Sequence, residues 1–214
     1  KKPVTIDRIM EEMSEVSLDE GAQKKFDAIK AYMDENEFSP LKEVGLVGYQ
    51  NNNPNGGNNT DGKSYSGFVG YAFIDGQGNG SAIYRGSESM TNPAHFSTDW
   101  VSNVDAGTGV QIRQQREAND FYQRYISDLD GEQYVFGHSK GGNLAAYVLV
   151  NNLDERLSSY IVNGAPLYWG NLTEEQREAL KGSRNNFIVH EGDFVSSLGA
   201  APYVDKTVYI NDPE

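Results

Sequence analysis

Ser139 is the residue with which chemistry can begin. It stands in Gly137-His138-Ser139-Lys140-Gly141, after the short apolar run YVF and before the Ala- and Leu-rich GGNLAAYVLVNN. A G-x-S-x-G pattern between a strand and a helix is the local form of a nucleophile elbow. The serine sits on a sharp, strained turn, and the flanking glycines let strand and helix approach without a Cβ clash. The helix that follows would aim its N–H groups and positive dipole end at a developing oxyanion. An ordinary tight strand-to-helix turn would use the same glycines, so the five residues alone leave both readings open. Neighbouring residues at such a turn point apart. Lys140 is therefore expected to offer its backbone N–H to the oxyanion, not its amine to a Ser-Lys dyad.

The surrounding elements must hold that serine. SGFVGYAFID and GSAIYRG, separated by GQGNG, read as a β-hairpin with Gly and Asn in the turn. Residues 113–129 place Ala118, Phe121, Tyr122, Tyr125, Ile126 and Leu129 on one helical face. QYVFG then reads as strand, GGNLAAYVLVNN as helix and SYIVNGAP as strand. TEEQREALKG reads as a helix bounded by Thr173 and Gly182, and NFIVHEGD as a further strand. Alternation at this pace predicts an α/β fold: a mainly parallel sheet with helices on both faces. Residues 1–36 read as a helical segment packed on the same domain. There Ser17-x-x-Glu20 resembles a capping box, and Ala22, Phe26, Ile29 and Met33 recur at helical spacing. Residues 51–62, NNNPNGGNNTDG, hold six Asn and three Gly with nothing to bury, and read as a surface loop. A calcium loop there would need a regular carboxylate spacing that the segment lacks.

Composition narrows the partners. The 214 residues suffice for one domain with a substantial core, and the net charge of −13 argues against nucleic acid. The absence of cysteine excludes disulfides, thiolate catalysis and Cys-ligated zinc, and is compatible with a secreted bacterial protein. There is no apolar run of transmembrane length and no signal-peptide pattern, though transient contact with a lipid surface is open. The chain opens on KKPVTID without Met, as an excised fragment would.

GHSKGGNLA resembles the nucleophile segment of the class 3 lipase family of α/β-hydrolases, especially its bacterial relatives, and other segments match in the same order. AIYRGS, residues 82–87, resembles the strand end that carries the family's oxyanion-hole residue, a role that would fall to Ser87. DWVSNV resembles the stretch after the family's lid, VNGAP the strand after the nucleophile helix, and IVHEGDFVSSLG the segment holding the triad acid. The resemblance spans roughly residues 40–200 and places the acid at Asp193. Asp193 also follows a strand, where open α/β sheets place their sites. Residues 88–99, with Met90, Pro93 and Phe96 among polar neighbours, would correspond to the lid, or to a plain surface loop.

The resemblance implies a serine hydrolase of carboxylic esters, of lipase or phospholipase type, with Ser139 as nucleophile, Asp193 as acid, Ser87 and Lys140 at the oxyanion hole, and no metal or organic cofactor. The base departs from the pattern. The α/β-hydrolase order is Ser, acid, His, yet only His95, His138 and His190 exist and none follows Asp193. His138 is expected in a packing or hydrogen-bonding role at an inward strand-end position, His190 as support for the acid or the sheet, and His95 in the lid segment. The economical expectation is a histidine beyond residue 214, residues 37–214 being a hydrolase domain without its C-terminal part. A histidine from another chain, or a catalytically incomplete hydrolase fold serving as a binding module, are the alternatives. G-x-S-x-G alone would also fit a peptidase.

Overall fold

The computed structural model describes residues 4–15, 17–35, 44–52, 66–86, 110–190 and 208–210. In chain order the elements are β1 (Val4–Thr5), α1 (Ile6–Ser14), α2 (Glu20–Glu35), β2 (Gly45–Asn51), β3 (Val69–Ile74) and β4 (Gly80–Tyr84). There follow α3 (Val110–Tyr125), β5 (Gln133–His138), α4 (Lys140–Asn152), β6 (Leu157–Val162), a single 3-10 turn (Trp169–Asn171), α5 (Glu174–Lys181), β7 (Asn185–His190) and β8 (Val208–Ile210).

All eight strands form one sheet whose spatial order is their order in the sequence. β1 to β4 pair antiparallel, and β4 to β8 pair parallel. This is the α/β-hydrolase-like sheet expected, with its parallel half carrying the elbow, but α3, α4 and α5 lie together on one face and not on both. The β3–β4 turn is organised by Asp75, whose carboxylate accepts from the N–H of Gln77 and Asn79 at 2.8 and 2.9 Å and from the Asn79 amide at 2.8 Å.

The uniform advance of the parallel strands dictates the helix layer. Right-handed crossovers that always step in one direction drop their helices on one face of the sheet. The contacts agree for α3, α4 and α5. A Cβ on Gly80 would strike Ile126 and Leu129 just past the end of α3, one on Gly142 of α4 would lie 2.7 Å from Ile161, and Asn185 of β7 donates to the Leu180 carbonyl of α5 at 2.9 Å. Strand alternation then buries Ala82, Tyr84, Val135, Leu157, Ile161 and Phe187 under these helices in one continuous core. Two tyrosine hydroxyls inside it are paired: Tyr84 Oη donates to the Ala118 carbonyl at 3.0 Å, and Tyr122 Oη bonds Gln133 Oε1. Burial, followed by the charge of Asp154, pushes the Tyr122 hydroxyl up to about 12.

The N-terminal segment departs from the periodicity in two details. Phe26 and Met33 line a cavity shared with Met10 of α1, whereas Ile29 is 52% exposed. α2 begins at Glu20, so Asp19 and not Ser17 stands at the position before its first turn, and the Gln23 N–H bonds the Asp19 carbonyl at 2.8 Å. Residues 53–62 of the Asn-rich loop and the segment 88–99 lie outside the described residues.

Candidate active site

β5 ends at His138, and the backbone turns at Ser139 with φ 55° and ψ −122° before α4 starts at Lys140. A non-glycine residue in this region costs about 1–3 kcal/mol and persists only where its surroundings over-determine it. Here they do. The Ser139 N–H donates to the Val162 carbonyl at 3.1 Å, and the Ser139 carbonyl accepts from Gly142 and Ala165 N–H at 3.0 Å each. The expected glycines have a steric reason. A Cβ at Gly137 would overlap the Gly141 carbonyl, and one at Gly141 would overlap the Tyr84 carbonyl. Both obstacles are backbone, so neither can step aside.

The hydroxyl is kept out of local bonding. Ser139 is 5% exposed, its side chain does not cap α4, and its Oγ is buried with no partner among the described residues. Serine at such a position normally accepts an N–H of the first turn. Declining that bond leaves a polar atom whose lone pairs and proton are unspent. The first turn of α4 has N–H groups with no intrahelical acceptor, as every helix does. Its first residue, Lys140, is half-buried, and burial lowers its amine below the ordinary lysine range.

The chain leaving β4 runs alongside this turn. A Cβ on Gly86 would sit 2.8 Å from the His138 carbonyl and 3.5 Å from Ser139 Cβ. Ser87, the next residue, lies outside the described residues, as do His95 and Asp193, the latter three positions after the end of β7. Of the expected site residues, the structure therefore describes Ser139 and Lys140, side by side at the carboxyl end of β5.

His138 corrects its expectation. It alternates away from buried Gly137 and is exposed, not inward. His190 is half-buried at the end of β7 and is bonded to Asn163: the Asn163 Oδ1 accepts the His190 backbone N–H at 2.8 Å, and the amide nitrogen lies 3.0 Å from His190 Nδ1.

Two residues around the elbow were not singled out by the sequence reading. Asn163 has a left-handed backbone, φ 45°, which asparagine tolerates better than most residues; the Asn-Gly pair after a strand carried that signal. Asn143, 1% exposed inside α4, donates to the Pro166 carbonyl at 3.0 Å and accepts from Gln115 of α3 at 2.8 Å. A lone amide in the apolar run GGNLAAYVLV was its signal. Among the described residues, no group of His, Asp and Glu could hold a metal ion, and no helix is long and apolar enough to cross a membrane.

A family model described as Mbeg1-like matches residues 65–197, a span that contains β3 through β7 and the elbow. No curated protein matches the sequence. Among solved structures, the Lip2 lipase from Yarrowia lipolytica is similar at 15% identity, over 82% of this chain and 72% of that one, with a TM-score of 0.44. That likeness is too distant to carry residues across.

Proposed function

The chain belongs to the Mbeg1-like family, and from that premise together with the turn at Ser139 we propose that it is a serine ester hydrolase on an α/β-hydrolase-like fold. The observation that carries the reading is one residue in a costly conformation whose buried hydroxyl is left unpaired at a helix N-terminus. Strain and an unsatisfied buried group each destabilise the fold, and a nucleophile is the use that makes sense of both.

In the proposed mechanism Ser139 Oγ attacks the carbonyl carbon of a carboxylic ester, of lipid or phospholipid type, while its proton passes to a histidine. The tetrahedral oxyanion is held by the Lys140 and Ser87 N–H groups. Collapse expels the alcohol, which takes up that proton, and water then hydrolyses the acyl-enzyme by the same steps. Asp193 is proposed to orient the imidazole. Loss of one oxyanion donor would raise the barrier by about 3 kcal/mol. No metal or organic cofactor enters the scheme.

A second reading, a hydrolase-fold binding module, is favoured by the lack of any histidine bonded to Ser139 Oγ among the described residues. One experiment separates the two. A fluorophosphonate probe incubated with the full native chain should phosphonylate Ser139 with loss of fluoride, as shown by mass spectrometry of the labelled peptide. Equal labelling of Ser139→Ala would remove the nucleophile assignment. Absence of labelling together with failure to hydrolyse any ester tested would leave the binding module.

A further inference from the structure

The loop that follows β6 touches both ends of the site's edge. Its Ala165 N–H donates to the Ser139 carbonyl at 3.0 Å, and its Asn163 N–H donates to the Ile188 carbonyl of β7 at 2.8 Å. β6 lies between β5 and β7. Ser139 and His190 thus stand about two strand spacings apart, roughly 10 Å between backbones, with Asn163 in the interval.

The Asn163 side chain has its orientation decided by what it meets. A backbone N–H can only donate, so the atom facing the His190 N–H at 2.8 Å is the acceptor Oδ1. The other end of the amide can then only donate, and it lies 3.0 Å from His190 Nδ1. Oδ1 is also 3.2 Å from Nδ1, which would suit a proton on that nitrogen. Such a proton would put two donors face to face at the shorter separation, whereas with Nδ1 as acceptor the shorter contact is the hydrogen bond and the lone pairs meet at the longer one. Nδ1 is therefore the acceptor, and the imidazole proton sits on Nε2.

We infer that Asn163 is a positioning residue that locks His190 as its Nε2–H tautomer, so that His190 meets the site as a hydrogen-bond donor and not as the proton acceptor for Ser139. The inference rests on the hydrolase reading for its functional half alone. Asn163 can do this because its left-handed turn aims one short amide at both a main-chain and a ring nitrogen of the same residue. The consequence is a division of labour. The acceptor of the Ser139 proton must be another group, and the Nε2–H of His190 serves as a donor.

Imidazole nitrogen NMR on the full chain labelled with 15N-histidine tests the lock without reference to activity, with His95→Gln and His138→Gln assigning the signals. For the neutral ring the expected spectrum has a pyridine-type Nδ1 and a pyrrole-type Nε2 for His190. Asn163→Gly, which keeps the left-handed backbone but lacks the amide, should move His190 to an averaged spectrum. Asn163→Asp, which replaces the donor by an acceptor, should reverse the two nitrogens. A pyrrole-type Nδ1 in the native chain, or an unchanged spectrum in both variants, would overturn the lock. For the donor role, His190→Gln, which keeps an N–H, should be labelled by fluorophosphonate about tenfold faster than His190→Leu. A fall of roughly 1,000-fold in both would make His190 the proton acceptor and overturn that half. If the native chain is not labelled at all, the hydrolase reading fails by itself, while the spectra still decide the tautomer.

Discussion

Among the described residues three helices begin on a hydroxyl residue, and two of them, α5 and α4, use it in opposite ways. At α5, Thr173 has φ −68° and accepts the Gln176 N–H at 3.2 Å, while the Gln176 side chain accepts the Thr173 N–H at 3.1 Å. Glu174 and Glu175 follow, the charge that a helix N-terminus favours. At α4, Ser139 has φ 55°, caps nothing, and is followed by Lys140, the charge that the helix dipole disfavours. Every local choice at α5 lowers the free energy of the fold, and every one at α4 raises it. Such conflicts between local preference and global fold collect where a protein works. The contrast thus supports the proposed site at α4 without reference to any relative.

The comparison can be broken most sharply by chemistry. Ser139→Ala should reduce fluorophosphonate labelling by at least about 1,000-fold, whereas Thr173→Ala should leave the labelling rate within roughly twofold. Comparable losses in both would mean that the probe reads overall integrity and not the hydroxyl at α4.

Next in size is the glycine framework. Gly141→Ala drives a Cβ into the carbonyl of Tyr84, a backbone obstacle, and should cost about 3 kcal/mol or more by urea unfolding. At α5, Gly182→Ala meets the Ala179 carbonyl at 3.2 Å with φ −69° and should cost less than about 1 kcal/mol. Equal costs would show that the close approach at the elbow is not obligatory.

Signs, more than sizes, divide the caps themselves. Ser139→Gly relieves the positive φ and should stabilise by about 1 kcal/mol while ending reactivity. Thr173→Ala should destabilise by a similar amount, about 1 kcal/mol. A loss of stability in Ser139→Gly would mean that the turn is not strained.

The smallest effect concerns Lys140. Burial lowers its amine in the folded chain, so between that lowered value and the ordinary lysine range the unfolded chain binds more protons than the folded one. Its contribution to stability is present above the ordinary value of 10.5 and is lost as pH falls through the lowered one. At pH 7 the residue therefore carries a penalty. Lys140→Met should be slightly more stable than the native chain at neutral pH, with the gap closing as pH rises toward the lysine range. A gap that widens instead would place the ammonium in a favourable site.

Much of this was legible because it is local. TEEQREALKG carries its own start and stop, and α5 lies between Thr173 and Gly182 as read. The face from Ala118 to Ile126 is buried as its spacing requires. Ser139 declared itself through glycines whose purpose is steric and therefore short-range. What escaped was set by distant partners. Asn163 acts on a residue 27 positions away, and Asn143 on Pro166 and Gln115, 23 and 28 positions away; no periodicity encodes such bonds. Ile29 fits a helical stripe, but only packing decides which side of a helix is covered. His138 faces outward because strand alternation from buried Gly137 sends it to the opposite side.

The strand order has a bearing on synthesis. Each strand is hydrogen-bonded to its neighbours in sequence, so a nascent chain leaving the ribosome can add strands one by one to a growing edge, and none must wait for a partner encoded far downstream. The turn at Ser139 is the exception. Its carbonyl is pinned by Ala165 and its N–H by Val162, so the strained conformation has no support until about 26 further residues have emerged. The strained turn is thus assembled late, when the strands before it are already available as a platform.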